Sequence, residues 1–112
     1  MRILILFGFI FIFSLCSIAQ QWNNWYFGYN AGITFNSAFA QALTDGQTFT
    51  EEGCAAISDQ SGKLLFYTDG VNVWDRNHML MPNGTMLMGS HSATSVLIVP
   101  KPRDTARYYE VA

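Results

Sequence analysis

The chain has few of the residues from which proteins build metal sites and disulfides. Its 112 residues include two cysteines and two histidines, and only Cys54, His78 and His91 lie after position 19. A single thiol cannot form an intramolecular disulfide. Zinc sites need ligands at i, i+4 or C-x-x-C spacing, and calcium loops need acids at alternating positions, but the sequence has neither pattern. We therefore predict no metal and no cofactor.

Charge is also scarce, at 12% of the residues. After position 19 the chain holds five basic and eight acidic residues, a formal charge of −3. Proteins that bind nucleic acid present a basic stripe to the phosphates. Arg76, Lys101, Arg103 and Arg107 are too few and too interleaved with acids to form one, so nucleic acid is excluded as an expected partner.

Helical periodicity is missing after position 19, where short apolar runs alternate with turn residues. This pattern predicts an all-β chain of antiparallel strands. The predicted strands cover residues 25–27, 33–35, 54–58, 63–68, 71–75, 94–99 and 107–111, and the stretch 38–43 is ambiguous.

Residues 53–77 carry the clearest signal, GCAAISDQSGKLLFYTDGVNVWDRN. Asp59 and Gly62 suit the first and fourth positions of a type I turn, and Asp69-Gly70 is typical of a two-residue type I′ hairpin. The segment is therefore predicted to be a β-meander.

Two predicted strands are continuous apolar runs, residues 64–67 and 96–99, which need cover on both faces. Helices supply that cover in parallel sheets, but the pattern here predicts none. Other sheets must supply it, as they do in propellers and some sandwiches.

A weak internal repeat favours the propeller. Ala56-Ile57 matches Leu97-Ile98 at a shift of 41 residues, close to the roughly 40–45 residues of a four-stranded blade. The second copy stops at Ala112, so we expect about one blade plus the start of a second, in the amino-terminal piece of a longer protein. Because truncated repeats leave apolar faces open, residues 20–112 alone are predicted to fold poorly.

The first residues, MRILILFGFIFIFSLCSIAQ, have the basic start, apolar core and small final residues of a secretory signal peptide. Cleavage is expected after Ala19, so that residues 20–112 form the mature domain beginning at Gln20. An uncleaved anchor is the alternative, since residues 3–19 are 17 largely apolar positions against the roughly 20 that span a bilayer. Lipidation of Cys16 is disfavoured because Leu15 is not small.

Several segments together resemble a known group. They are NWYFG (24–28), AGITF (31–35), ALTDGQ (42–47), residues 52–77, MPNG (81–84) and SVLIVPKP (95–102). The chain is similar to the amino-terminal region of large Bacteroidetes surface or secreted proteins, whose carboxy-terminal domain is of the gliding-motility-associated sorting type. The resemblance implies a propeller-like domain and export through Sec and then the type IX system. It supplies no catalytic residues.

The acidic residues are the candidates for catalysis. Asp45, Asp59, Asp69 and Asp104 are better explained as turn residues that cap their own backbone, and Asp75 is a further candidate. Glu51 and Glu52 are adjacent, so on an extended chain their side chains point to opposite faces and do not form a glycosidase pair. Cys54 lies in an apolar run and is predicted to be a small core residue rather than a nucleophile.

Five aromatic residues near the mature start could form a sugar-binding platform, although packing in the core or between blades is the commoner use of such rings. They are Trp22, Trp25, Tyr26, Phe27 and Tyr29. The favoured hypothesis is an exported, non-catalytic binding or structural module whose ligand is a glycan or a protein, with membrane contact only through the signal peptide. The alternative is part of an extracellular glycan hydrolase whose active site lies mostly elsewhere.

Overall fold

The computed structural model describes residues 20–51, 53–89 and 96–111. In these ranges eight short strands form three antiparallel sheets, which confirms the predicted all-β class. The predicted signal peptide, residues 1–19, lies outside the described residues. Among the described residues, no helix combines the length and the apolar character that crossing a membrane requires.

The strands follow one another along the chain within each sheet. Sheet 1 follows a three-residue 3-10 helix, Gln20–Trp22, and contains β1 (Asn24–Tyr26), β2 (Gly32–Thr34) and β3 (Gln41–Leu43). Sheet 2 contains β4 (Ala55–Ser58), β5 (Leu64–Thr68) and β6 (Val73–Asp75). Sheet 3 contains β7 (Leu97–Pro100) and β8 (Tyr108–Val111). Sheet 2 is therefore the predicted meander, and the ambiguous stretch 38–43 contributes β3.

A short fourth segment extends sheet 2 beyond β6. Leu80 forms an isolated antiparallel bridge with Trp74. On either side of it, the Asp75 amide donates to the Met79 carbonyl at 2.8 Å and the Met81 amide donates to the Val73 carbonyl at 2.9 Å. The meander thus has three strands and one bridged segment.

The turn between β4 and β5 has the predicted ends. The Gly62 amide donates to the Asp59 carbonyl at 3.0 Å, and the Asp59 amide donates to the Lys63 carbonyl at 2.9 Å. Gly62 has φ of 84°, so a left-handed glycine closes a three-residue loop. A Cβ at Gly62 would lie 2.3 Å from Oδ1 of Asn36, so any other residue would strain the backbone and displace the Asn36 amide.

The turn between β5 and β6 is not the predicted two-residue type I′ turn. Thr68 pairs with Val73, which leaves the four residues from Asp69 to Asn72 in the loop. Gly70 has a positive φ but Asp69 does not. The physical reason is the Asp69 carboxylate, which is 3% exposed and accepts bonds from the amides of Val71 (2.9 Å) and Asn72 (2.7 Å).

Sheet 2 lies between the other two sheets. On one face, Ala56, Tyr67 and Trp74 form a buried cluster with Tyr26 of sheet 1. On the other face, Phe66 and Tyr108 meet edge to face at 5.4 Å, and the Thr68 hydroxyl donates to Oε1 of Glu110 at 2.8 Å. The apolar run 64–67 is therefore covered by a sheet on each side, as its composition predicts.

Amide side chains join sheet 1 to the first turn of sheet 2. Nδ2 of the buried Asn24 donates to the Ser58 hydroxyl at 2.8 Å and to the Gly62 carbonyl at 2.7 Å. Nδ2 of Asn36 donates to the same carbonyl at 2.7 Å. Because buried amides cost free energy when they lack partners, this network fixes how sheet 1 sits on sheet 2.

Candidate functional site

Four polar side chains from distant parts of the chain meet at the boundary between sheets 1 and 2. Tyr26 comes from β1 and Tyr67 from β5, while Asp45 follows β3 and His78 lies in the turn after β6. No pair of them is closer than eleven residues in sequence. The packing of the two sheets therefore creates this cluster.

Hydrogen bonds connect the four residues in a chain. The Tyr26 hydroxyl donates to Oδ1 of Asp45 at 3.0 Å, and Nε2 of His78 lies 3.1 Å from Oδ2 of the same carboxylate. Nδ1 of His78 lies 2.9 Å from the Tyr67 hydroxyl. That hydroxyl also accepts a bond from the backbone amide of Gln47 at 3.2 Å.

The aromatic rings stack beneath these bonds. Tyr26 and Tyr67 are nearly parallel, with centroids 4.4 Å apart, and Tyr67 stacks on Trp74 at 5.5 Å. The His78 ring contacts both tyrosines, at 5.9 Å from Tyr26 and 5.7 Å from Tyr67. Such ring pairs add to the stability that burial itself provides.

Burial keeps both tyrosines in their neutral form. It raises the pKa of Tyr26 well above the usual range, and the hydrogen bond to Asp45 raises it further. Burial likewise raises the pKa of Tyr67 to about 12, although the bond from the Gln47 amide lowers it. Both phenols are therefore proton donors at neutral pH.

The cluster has the geometry of a structural connection. When Nε2 of His78 donates to Asp45, Nδ1 accepts from the Tyr67 hydroxyl, so both ring nitrogens have protein partners. A general base needs a nitrogen that faces its substrate. The arrangement instead ties the turn after β6 to the loop after β3.

The structure supports the turn explanation for three of the four acids to which it was applied, Asp59, Asp69 and Asp104, and Asp75 makes bonds of the same kind. Oδ1 of Asp59 accepts from the amides of Ser61 and Lys63, and Oδ1 of Asp75 accepts from the amides of Asn77 and Met79. The bond from the Ser61 hydroxyl, followed by the bond from the Lys63 amide, lowers the pKa of Asp59, and the bond from the Met79 amide lowers the pKa of Asp75. Asp69 and Asp104 also accept backbone amides of their own loops.

Asp45 differs from the prediction that assigned it to a turn. Its carboxylate receives the Tyr26 hydroxyl and contacts His78, as given above. Glu51 is exposed, whereas Glu52 and His91 lie outside the described residues. In the described part of the chain, no three His, Cys, Asp or Glu side chains are grouped to hold a metal.

Cys54 has the properties of an unreactive thiol. It is partly buried, and burial followed by the nearby Asp69 charge raises its pKa to about 11, against a hydrogen bond with Thr48 that lowers it. The thiolate is the nucleophilic form. The side chain therefore suits packing, as its sequence context predicts.

The five aromatic residues at the mature start divide between core and surface. Tyr26 is buried, but Trp22, Trp25, Phe27 and Tyr29 are about half exposed or more. Nε1 of Trp25 donates to the Trp22 carbonyl at 2.7 Å, and the Trp25 ring meets Phe35 edge to face at 5.6 Å. Core packing thus accounts for one of the five rings.

Comparisons with protein-family models, curated proteins and solved structures find no match to this chain. Two members of the cluster are candidates from the sequence, but in other roles: Asp45 as a turn residue and Tyr26 as part of an aromatic platform. Tyr26 and His78 carried no local motif. The sequence predicts that sheets stack on one another, so it predicts contacts between sheets. It does not predict which side chains make those contacts.

Proposed function

We propose that this chain is part of an exported, non-catalytic β-propeller-like module that binds a ligand at the cell surface or in the medium. The observation that carries the proposal is the position of sheet 2, an antiparallel meander covered on one face by sheet 1 and on the other by sheet 3. Face-to-face stacking of sequential meanders is how propeller blades bury their apolar faces.

The outer face of sheet 3, at one end of this stack, supports the same arrangement. On sheet 3, Leu97 pairs with Val111 and Val99 pairs with Tyr109, and all four side chains are exposed on the face that points away from sheet 2. Exposed apolar faces of this kind mark contact surfaces. A further sheet of the same module would cover this face.

The role of the His78 cluster favours binding over catalysis. Its polar groups hold two sheets together, and the carboxylates of Asp59, Asp69, Asp75 and Asp104 hold loops. These side chains therefore serve the scaffold. Rigid scaffolds with variable loops are the usual basis of binding modules.

Two measurements on the whole protein test the proposal. Amino-terminal sequencing of exported material is expected to begin at Gln20, and retention of Met1 would contradict the signal peptide. Electron microscopy of the purified protein is expected to show a closed disc of blades around a central channel. An extended sandwich would contradict the propeller, and release of reducing sugar from glycans would favour the hydrolase alternative.

A further inference from the structure

An open groove of about 640 Å³ lies between two hairpin turns, away from the His78 cluster. One wall is the turn from Asp59 to Gly62, and the other is the loop that joins β7 to β8. Leu65 and Tyr108 also line the groove. The volume lies within the roughly 300–1,000 Å³ typical of small-ligand sites.

The carboxylates along the groove are already engaged. Oδ1 of Asp59 accepts from the Ser61 amide, the Ser61 hydroxyl and the Lys63 amide, at 2.8, 2.6 and 3.0 Å. Oδ1 of Asp104 accepts from the Ala106 amide at 3.0 Å, and its Oδ2 lies 3.4 Å from Nε of Arg107. Both acids therefore hold their own loops.

The cations on the second wall are not engaged in this way. Within the described ranges, neither Lys101 nor Arg103 has a carboxylate at ion-pair distance. Both belong to the same loop, so the positive charge on this wall can pair with a ligand. Arginine suits carboxylates because its planar guanidinium binds both oxygens.

Arg103 also occupies an unusual backbone position. The Asp104 amide donates to the Lys101 carbonyl at 3.1 Å, and Arg103 has φ of 63°. The turn from Met81 to Gly84 is built in the same way. Its fourth amide donates to its first carbonyl and its second residue is also a proline, but its left-handed third residue is Asn83. Glycine or asparagine is preferred there, so the backbone alone does not explain an arginine.

The remaining lining groups suit sugar hydroxyls and an apolar sugar face. Gln60 and Thr105 offer an amide and a hydroxyl that both donate and accept. Tyr108 presents an aromatic ring with a polar tip. We propose that this groove binds an acidic oligosaccharide, with its carboxylate on Arg103 and Lys101 and its hydroxyls on Gln60 and Thr105. This inference rests on the proposed function as a binding module.

Calorimetric titration of the whole protein tests the ligand class. The probe is an oligogalacturonate, and the matched ligand is the same oligomer with its carboxyl groups reduced to alcohols. Reduction is expected to weaken binding about tenfold or more, because it removes a charge-assisted bidentate contact. Equal binding of the two forms would overturn the proposal. An affinity for the oligogalacturonate no higher than the affinity for inorganic phosphate would also overturn it, because it would indicate a simple anion site.

Matched variants test the location. Arg103→Gln and Lys101→Gln are each expected to weaken oligogalacturonate binding about tenfold. Lys63→Gln removes a positive charge from an exposed position that does not line the groove, and it is expected to leave the affinity unchanged. A loss for Lys63→Gln equal to the losses for Arg103→Gln and Lys101→Gln would overturn the assignment of the groove.

Nuclear magnetic resonance of the unsubstituted protein gives a test that does not depend on how variants fold. Oligogalacturonate is expected to shift the resonances of Leu65, Tyr108 and Gln60. Binding that leaves these three unchanged overturns the inference. If the protein binds only a neutral glycan or a protein, the groove assignment is wrong while the proposed binding function stands; if it cleaves the oligomer instead, the proposed function is wrong.

Discussion

The hydroxyl of Tyr67 lies 2.9 Å from Nδ1 of His78, although the two residues belong to different parts of the meander. His78 has φ of 62°, in the left-handed region that residues other than glycine adopt uncommonly and that asparagine, aspartate and histidine adopt more often than the rest. Its side-chain bonds to Tyr67 and Asp45 hold the residue in that conformation. The turn after β6 is thus held by contacts made elsewhere in the fold.

Replacing Tyr67 by Phe is expected to lower the free energy of unfolding by about 1–2 kcal/mol, because His78 and the Gln47 amide lose a buried partner. Chemical denaturation measures the change. Tyr109→Phe is the matched control, since the Tyr109 ring is exposed, and its effect should stay within about 0.5 kcal/mol. Equal stability of the Tyr67 variant and the unsubstituted protein would show that the hydroxyl network contributes nothing.

Gly62→Ala is expected to destabilise the protein by roughly 1–3 kcal/mol. The added Cβ meets Oδ1 of Asn36 at 2.3 Å in a left-handed backbone, so the amide network between sheets 1 and 2 must shift. Gln60→Ala, at an exposed position of the same turn, is the control. Thermal unfolding of both variants distinguishes strain at Gly62 from a general effect of changing the turn.

The docking of sheet 3 on sheet 2 is expected to depend on pH through Glu110. Burial is the main cause that raises the pKa of Glu110, the Asp69 charge adds to it, and the Thr68 hydroxyl opposes both. Because the pKa is higher in the folded state, this contribution to stability is complete below the unfolded pKa and is lost as pH rises through the folded value.

Glu110→Gln removes this titration and keeps an oxygen that can accept from Thr68. Its unfolding midpoint in urea, relative to the unsubstituted protein, is expected to rise as the pH rises above the usual pKa of a glutamate carboxyl, about 4.3. Glu51→Gln, at an exposed site, is the matched control, because it removes a carboxylate without changing the contact between sheets 2 and 3. A difference for Glu110→Gln that does not change with pH would mean that Glu110 is solvated in the folded state.

Cys54 is expected to react slowly with thiol reagents in the folded protein. A pKa of about 11 leaves, at pH 8, about one hundredth of the thiolate of an ordinary cysteine. Reaction with a disulfide reagent, followed by absorbance, should become fast once urea unfolds the chain. The Cys54→Ser protein reports any signal from other thiols, and a fast reaction under native conditions would contradict the partly buried, unreactive state.

A turn could be predicted from the sequence when the local preferences of its own residues determine its conformation. Asp59 and Gly62 were predicted because a left-handed glycine and a capping aspartate are local preferences. The turn from Asp75 to Met79 has the same amide-to-carboxylate bonds. It was not predicted from the sequence because its left-handed residue is His78 and not a glycine. The loop after β5 was predicted wrongly because the buried Asp69 carboxylate binds two amides and lengthens it.

The sequence by itself determined that the chain is all-β, where most strands lie, and that the run 64–67 needs cover on both faces, because strand periodicity and turn chemistry are local properties. Only the tertiary structure decided that Tyr26, Asp45, Tyr67 and His78 meet and that Lys101 and Arg103 line a groove opposite Asp59. The cluster and the groove each bring together residues that are far apart in the sequence. Their proximity follows from how three sheets stack, which depends on the shapes and partners of buried side chains such as Asn24 and Thr68.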